Sequence, residues 1–328
     1  MTYISLPEEK DRLLVFYLAM EEYIARYMDV DDAFFMWQTE PTVIFGRNQL
    51  IYSEVNIDYC QKKGIKMFRR KSGGGCVYSD RNNVMFSYIT KDENVNLTFN
   101  RYVNMVALVL CQLGVNAKAT GRNDILIDGK KVSGNAFYHI PGRSIVHGTM
   151  LYDTNLENMV GSITPSDAKL VSKGVKSVRQ HITLLKDHIN LPIDEFKQFV
   201  RRHLCTNEIV LDKNAIERIE DMMQEYLQND FIYGKNPKYA MIRQKRIENV
   251  GMFEVQIELK NVLIKEVNLM GDYFIVGDIG AVLQQLKGVR YEREAINKCL
   301  PENMSDYILH LTKQDMVDLL LGDENERE

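Results

Sequence analysis

The stretch Arg69-Arg70-Lys71-Ser72-Gly73-Gly74-Gly75-Cys76-Val77-Tyr78 places three cations, a hydroxyl and three consecutive glycines between two strand-like apolar runs. A P-loop or a dinucleotide-binding fingerprint would instead need glycines between a strand and a helix. Because glycines have no side chains, their backbone N–H groups can come close to a ligand. The neighbouring arginines supply paired hydrogen-bond donors for a carboxylate or a phosphate. The stretch therefore predicts an anion-binding loop. The simpler alternative is a glycine turn with solvated cations.

The composition is that of an ordinary soluble globular protein, because 45% of the 328 residues are hydrophobic and 26% are charged. The net charge of −4 gives no global reason to expect nucleic-acid or membrane binding. The five cysteines are scattered without a C-x-x-C pair, which argues against a disulfide framework or a zinc site. The first residues do not resemble a signal peptide, and no apolar run approaches membrane-spanning length. A cytoplasmic protein is expected.

The periodic segments indicate a chain of mixed α and β structure with two domains. A polar, interrupted stretch between Asn236 and Arg246 is interpreted as the boundary, giving a large domain over 1–240 and a small one over 247–328. In the large domain, amphipathic helices are predicted at 8–28, 97–113, 192–204 and 214–227, with strands between the first three. In the small domain, strands are predicted at 252–259, 262–270 and 273–276, and helices at 279–286, 292–299 and 312–321.

Three further segments carry polar residues or glycines on or beside predicted strands. The pair Asp128-Gly129 predicts a hairpin turn between two of them. Glycines inside strands usually mark a bulge or a close approach of backbone to another group. The residues singled out on these segments are Asn123, Asp124, Lys131, Ser133, Gly134, His147 and Gly148.

Together these residues predict a site for anions, with one acid suited to a divalent cation. A lysine on a strand beside glycine-lined backbone can bridge a carboxylate and a phosphate as a point charge. Attack of a carboxylate on a nucleoside triphosphate needs orientation and charge neutralisation more than a protein nucleophile. No Ser-His-Asp arrangement is recognisable, and a nucleophilic role for Cys76 competes with a place in the core of a strand. The residues alone thus indicate a pocket for a nucleotide and a carboxylate.

The motif Arg69-Arg70-x-Ser72-Gly73-Gly74-Gly75-x-Val77-Tyr78-x-Asp80 resembles the signature of lipoate–protein ligases. Residues 121–124 and 131–136 are similar to the second block of that family, 147–149 to the third and 173–179 to the fourth. The order and spacing of the blocks extend from about Thr42 to Leu185. The segment after Asn236 is similar to the accessory domain of full-length ligases.

The resemblance implies an α+β fold, with a mixed β-sheet catalytic domain flanked by helices, similar to biotin ligases and class II synthetases, and a small α+β accessory domain. It implies an ATP- and Mg²⁺-dependent enzyme that converts lipoate, or octanoate, to the acyl-adenylate with loss of pyrophosphate. The acyl group would then pass to a lysine of a lipoyl-domain protein, such as an E2 subunit of a 2-oxoacid dehydrogenase or the glycine cleavage H protein.

The resemblance also assigns roles by position. Lys131 would be the catalytic residue, touching both the nucleotide and the lipoyl carbonyl, and Asp124 would hold Mg²⁺. The other nucleotide contacts would be Arg69, Gly74, Gly75, Cys76, Val77 and Asn123. The other lipoate contacts would be Arg70, Ser72, Gly73, Ser133, Gly134, His147 and Gly148.

The chain departs from the family pattern at Ser79, where histidine is usual, at Asn82, where glycine is usual, and at 180–184. Two alternatives stay open. An acyltransferase of the same fold would move octanoyl or lipoyl groups between carrier proteins, but such relatives carry a cysteine after the histidine block, and 137–204 contains none. A lipoate- or nucleotide-binding regulator is the other alternative. The intact Lys131 block and the absence of a DNA-binding segment argue against it.

Overall fold

The described residues form two β-sheets in the first part of the chain and one in the last part. The computed structural model describes residues 1–8, 10–49, 51–91, 94–120, 123–163, 181–233, 241–260 and 263–322. The first of two compact units comprises Met1–Phe45, Ile51–Arg70 and Cys76–Ile232. The second comprises Gly46–Leu50, Lys71–Gly75 and Tyr233–Glu328. The fourth sequence block, 173–179, and the start of the predicted boundary, 236–240, lie outside the described residues.

The elements of the described residues are as follows. The strands are β1 (Thr2–Ser5), β2 (Asp32–Trp37), β3 (Thr42–Phe45), β4 (Lys66–Arg69), β5 (Val77–Ser79), β6 (Val84–Thr90), β7 (Ala117–Ala119), β8 (Asp124–Ile127), β9 (Lys130–Ile140), β10 (Arg143–Met150), β11 (Asn207–Val210), β12 (Met241–Ile247), β13 (Gly251–Lys260) and β14 (Leu263–Gly271). The helices are α1 (Leu14–Tyr27), α2 (Ile51–Glu54), α3 (Ile57–Lys63), α4 (Val95–Gln112), α5 (Leu156–Ile163), α6 (Ile193–Leu204), α7 (Lys213–Tyr226), α8 (Asn229–Tyr233), α9 (Ile279–Gln285), α10 (Arg293–Cys299) and α11 (Lys313–Leu321).

The main sheet of the first unit has eight strands in the order β11-β1-β2-β6-β10-β9-β8-β7. Strand β1 pairs in parallel with β11 and β2, and the other pairs are antiparallel, so the sheet is mixed. Every residue of β6 and β10 is buried. Helix α1 packs against both of these strands, and α4 packs against β8, β9 and β10. The predicted α+β class, a mixed sheet flanked by helices, is confirmed.

The helix predicted at 8–28 is wrong at its beginning, since α1 starts only at Leu14 and residues 2–5 form β1. Strand β1 is only four residues long and pairs with strands that are distant in sequence. A short strand stabilised by distant partners leaves little local pattern to recognise.

The same unit contains a small sheet with the order β4-β3-β5. In sequence, the glycine-rich stretch lies between β4 and β5. Strand β3 pairs in parallel with β4 and antiparallel with β5. Residues 70–76 therefore connect two strands that lie on either side of a third. The prediction that the glycines lie between strand and strand is confirmed.

The second unit contains the antiparallel sheet β12-β13-β14. Phe253, Val255 and Ile257 alternate along β13 and belong to a core to which α11 contributes Met316 and Leu320. From residue 241 onward, the polar stretch interpreted as a boundary forms strand β12 of this sheet. Charged residues that alternate along an edge strand look like a linker in sequence.

The strand predicted at 273–276 is also wrong, since only Ile275 makes a single bridge, to Ile308. Tyr273 takes its place in the buried core instead. Among the residues that the structure describes, none of the helices combines the length and apolar character needed to span a bilayer.

Candidate active site

The hairpin of β8 and β9 positions the predicted catalytic lysine. Its turn is made by Asp128 and Gly129, which both have positive φ (49° and 81°), as the sequence predicted. The register shifts so that Leu126 faces Lys131 but Ile125 faces Ser133, which makes Val132 an extra residue on β9. Such a bulge re-aims the side chains around it.

An ion pair lies at the centre of this hairpin. The Nζ atom of Lys131 is 2.8 Å from Oδ1 of Asp124, and the two side chains are 37% and 29% exposed. A Cβ atom placed on Gly134 would lie 2.8 Å from the same Nζ. Because Gly134 has no side chain, the ammonium group of Lys131 can occupy this space. The lysine is oriented by a carboxylate and is still accessible to a ligand.

Asn135 joins several of the predicted ligand-binding residues. Its Nδ2 donates to the Asn123 carbonyl (3.0 Å) and to Oγ of Ser133 (3.1 Å). A Cβ on Gly148 would lie 1.8 Å from Oδ1 of Asn135, so the glycine makes room for this amide. Asn135 was not among the residues predicted from the sequence, but it fixes the backbone beside the ion pair.

His147 is buried against a carboxylate that sequence analysis missed. Its Nδ1 lies 2.9 Å from Oε2 of Glu21, which is fully buried in α1. The Ser87 hydroxyl donates to Oε1 of Glu21 (2.5 Å), and Nε1 of Trp37 donates to that hydroxyl (2.9 Å). Buried carboxylates require such partners. The Glu21 carboxyl group therefore links His147 to Ser87 and Trp37 through hydrogen bonds.

A signal for Glu21 was present in the sequence. It lies three residues after Leu18 and seven after Leu14, on the apolar face that these leucines define. A carboxylate in the middle of an apolar helix face has to find a buried partner. Residue spacing could therefore have predicted a polar interaction for Glu21, although not the identity of its partner.

Both arginines of the glycine-rich stretch are buried and already contact backbone. Nη1 of Arg70 donates to the Ile44 carbonyl (3.2 Å). Nε of Arg69 donates to the carbonyls of Phe231 (2.9 Å) and Ile232 (3.1 Å). Burial lowers the pKa of each arginine to about 10, so both remain cationic at neutral pH. Their roles in ligand binding stay predictions.

The glycines themselves belong to the second unit together with Lys71 and Ser72. The Ser72 carbonyl accepts a hydrogen bond from the N–H of Arg47 (2.9 Å). The N–H of Gly74, whose φ is 84°, donates to the Tyr273 carbonyl (3.2 Å). The backbone of this stretch is therefore held by other backbone segments, and the loop has a defined shape.

Cys76 follows the glycines and is half-buried in the first unit. Burial raises the pKa of its thiol far above the usual range, and the lowering effect of Arg70 is smaller. A thiol that stays protonated at neutral pH is a poor nucleophile. Val77, the next predicted contact, begins β5.

Asp124 is the one predicted metal ligand. Among the described residues, no cluster of three or more acidic, histidine or cysteine side chains is placed to hold a metal ion. Magnesium in nucleotide sites is usually held by one or two carboxylates together with substrate phosphates. A single, partly exposed carboxylate beside a lysine fits that arrangement.

Comparisons with known proteins identify the relatives of this chain. Residues 14–205 match the family described as "Lipoyl protein ligase A/B catalytic domain", and residues 236–320 match "Bacterial lipoate protein ligase C-terminus". The chain is 35% identical over 316 residues to the lipoate-protein ligase LplJ of Bacillus subtilis (strain 168), a match covering 92% of this chain and 95% of the relative.

Two solved structures share the fold. The P. falciparum protein LipL1, solved in complex with lipoate, has a TM-score of 0.73 and 22% identity, covering 98% of both chains. A lipoate-protein ligase A solved with bound ATP has a TM-score of 0.62 and 22% identity, covering 71% of this chain and 98% of the other.

Proposed function

Because the chain belongs to the lipoyl protein ligase A/B family, we propose that it is an ATP-dependent ligase that activates lipoate to lipoyl-AMP and transfers the lipoyl group to a lysine of lipoyl-domain proteins. The observation that carries the proposal is the ammonium of Lys131, held 2.8 Å from Asp124 in the space left by Gly134. A fixed and accessible cation is what two approaching anions require.

In the first step a carboxylate oxygen of lipoate attacks the α-phosphorus of ATP. The bond from that phosphorus to the oxygen bridging to the β-phosphate breaks, and pyrophosphate leaves. Both reactants are anionic, so Lys131 lowers the barrier by neutralising charge on the carboxylate and the α-phosphate together. Asp124 would hold Mg²⁺, which neutralises phosphate charge when it is bound.

In the second step the neutral amine of an acceptor lysine attacks the carbonyl carbon of the adenylate, and AMP leaves with the bonding electrons. No protein nucleophile is needed, and Lys131 would contact the carbonyl oxygen. The proposed acceptors, which the family implies, are lipoyl domains of 2-oxoacid dehydrogenase E2 subunits and the glycine cleavage H protein. Octanoate is a second acyl substrate of the same chemistry. All five cysteines are free thiols, as suits a cytoplasmic enzyme.

The test is a coupled assay with ATP, Mg²⁺, lipoate and a lipoyl domain. We expect pyrophosphate release that depends on lipoate, and a lipoyl domain that gains the mass of one lipoyl group. A lipoyl domain with its acceptor lysine changed to arginine is the control, and it should stay unmodified. If pyrophosphate release with lipoate equals the blank without it, the proposed function is wrong.

The alternative is an acyltransferase that passes octanoyl or lipoyl groups through a protein thioester. The only cysteine of the glycine-rich stretch is Cys76, and its raised thiol pKa opposes that role. We expect Cys76→Ala to keep ligase activity within about twofold, because the substitution leaves the backbone at this position in place. Mass spectrometry of the intact protein after incubation with acyl donor provides the check. An inactive variant, together with a thioester on Cys76 of the unmodified protein, would favour the acyltransferase.

A further inference from the structure

Three backbone segments of the second unit form a closed ring of hydrogen bonds. The N–H of Arg47 donates to the Ser72 carbonyl (2.9 Å), the N–H of Gly74 to the Tyr273 carbonyl (3.2 Å), and the N–H of Gly271 to the Asn48 carbonyl (2.8 Å). The turn at 46–49, the glycine-rich loop and the end of β14 are thereby joined to one another. The shape of the loop depends on residues far away in sequence.

The loop is in close contact with Tyr273 and Phe274, which follow β14. A Cβ on Gly73 would lie 2.4 Å from the Tyr273 carbonyl oxygen and 3.3 Å from Cα of Phe274. Both are backbone atoms, which cannot move aside as the end of a side chain can. Gly73 is therefore required by this packing.

Tyr273 is a firm support for the loop because its side chain is fixed in the core of the second unit. Its ring is buried and stacks on Phe253 with centroids 4.6 Å apart, and its hydroxyl donates to the Leu269 carbonyl (2.8 Å). The preceding residue, Asp272, is joined to β13 twice. Its N–H donates to the Met252 carbonyl (3.2 Å), and its Oδ1 accepts the N–H of Met252 (2.5 Å).

We propose that Asp272 is a positioning residue for the nucleotide-binding loop, acting through the carbonyl of Tyr273 on the N–H of Gly74. The inference rests on the proposed function, which assigns Gly74 and Gly75 to ATP. The side chain of Asp272 fixes the segment that carries the Tyr273 carbonyl, and that carbonyl fixes the loop. Without Asp272, ATP has to order the loop as it binds, so the cost falls on nucleotide affinity.

Three variants separate this role from a general effect on folding. Asp272→Ala removes the acceptor for Met252 N–H. Asp272→Asn keeps an oxygen acceptor at the same place. Asp278→Ala is the matched control, because Asp278 accepts the N–H of Ala281 (3.0 Å) at the start of α9 and belongs to the same unit.

The measurement is the KM for ATP and the kcat of lipoate-dependent pyrophosphate release. We expect Asp272→Ala to raise the KM about tenfold, as the loss of one hydrogen bond allows, with kcat within about twofold. Asp272→Asn should restore the KM, and Asp278→Ala should leave it unchanged. An unchanged or lowered KM in Asp272→Ala, or no recovery in Asp272→Asn, would overturn the proposal.

Hydrogen exchange gives a readout that needs no activity. The amides of 72–75 should exchange faster in Asp272→Ala than in the unmodified protein or in Asp278→Ala. If the unmodified protein releases no pyrophosphate, the proposed function fails, while faster exchange would still support the structural link. Unchanged exchange in Asp272→Ala would refute that link whatever the activity.

Discussion

Lys131→Ala is expected to abolish detectable lipoate-dependent pyrophosphate release, whereas Lys130→Ala stays within about twofold of the unmodified protein. The ammonium of Lys131 neutralises charge that accumulates as carboxylate and α-phosphate approach each other. That interaction is stronger in the transition state than in the bound substrates, so its loss lowers turnover. Removing one preorganised charge contact typically costs on the order of 10²–10³ in rate.

The neighbouring lysines form a matched pair on β9. Lys130 is exposed, whereas Lys131 is half-buried and lies 2.8 Å from Asp124. Successive side chains of a strand point to opposite faces, so the two substitutions remove the same charge from two different environments. Single-turnover pyrophosphate release measures the effect, and circular dichroism confirms that both variants are folded. Equal losses in the two variants would mean that Lys131 is not the catalytic cation.

The hairpin around this lysine could be predicted because its information is local. Asp128 and Gly129 tolerate positive φ, the flanking residues alternate, and the turn fixes which residues face one another as far as the bulge at Val132. The end of α3 has a local signal as well, since Gly64 caps this helix with a φ of 67°. Local backbone preferences therefore account for the hairpin that carries Lys131 and for the end of α3.

The partners of the site residues could not be predicted, because they come from distant parts of the chain. Glu21 reaches His147 across 126 positions, and Gly74 reaches the Tyr273 carbonyl across a still longer span. The sequence around Glu21 or Gly74 does not indicate which distant residue will contact it after folding. The apolar spacing around Glu21 could have predicted only that it would be buried.

For the glycines, the sequence predicted a close contact but not the group that makes it. Their occurrence in strands and loops predicted close approach of backbone to a ligand. The structure gives three of them a partner within the protein: the ammonium of Lys131 at Gly134, the amide of Asn135 at Gly148, and the carbonyl of Tyr273 at Gly73. The absence of a side chain thus indicates a tightly packed position, but the sequence does not reveal which atoms pack there.

Gly134→Ala should therefore inactivate the enzyme without destabilising it. The new methyl group would lie 2.8 Å from Nζ and 2.9 Å from Cε of Lys131, both at the flexible end of a side chain. The lysine can move away at little cost in folding free energy, but its ammonium then leaves its place beside Asp124. A displacement of about 1 Å in a positioned group can cost on the order of 10² in rate.

Gly129→Ala in the turn of the same hairpin is the opposite case. No atom lies within 4 Å of the position of the new methyl group, but the φ of 81° is unfavourable for alanine. We expect unfolding free energy to fall by about 1–2 kcal/mol, with turnover per folded molecule unchanged. Thermal denaturation and single-turnover assays on both variants give the comparison. If Gly134→Ala keeps full turnover, Lys131 can act from more than one position, and its contact with Asp124 is not what prepares it for catalysis.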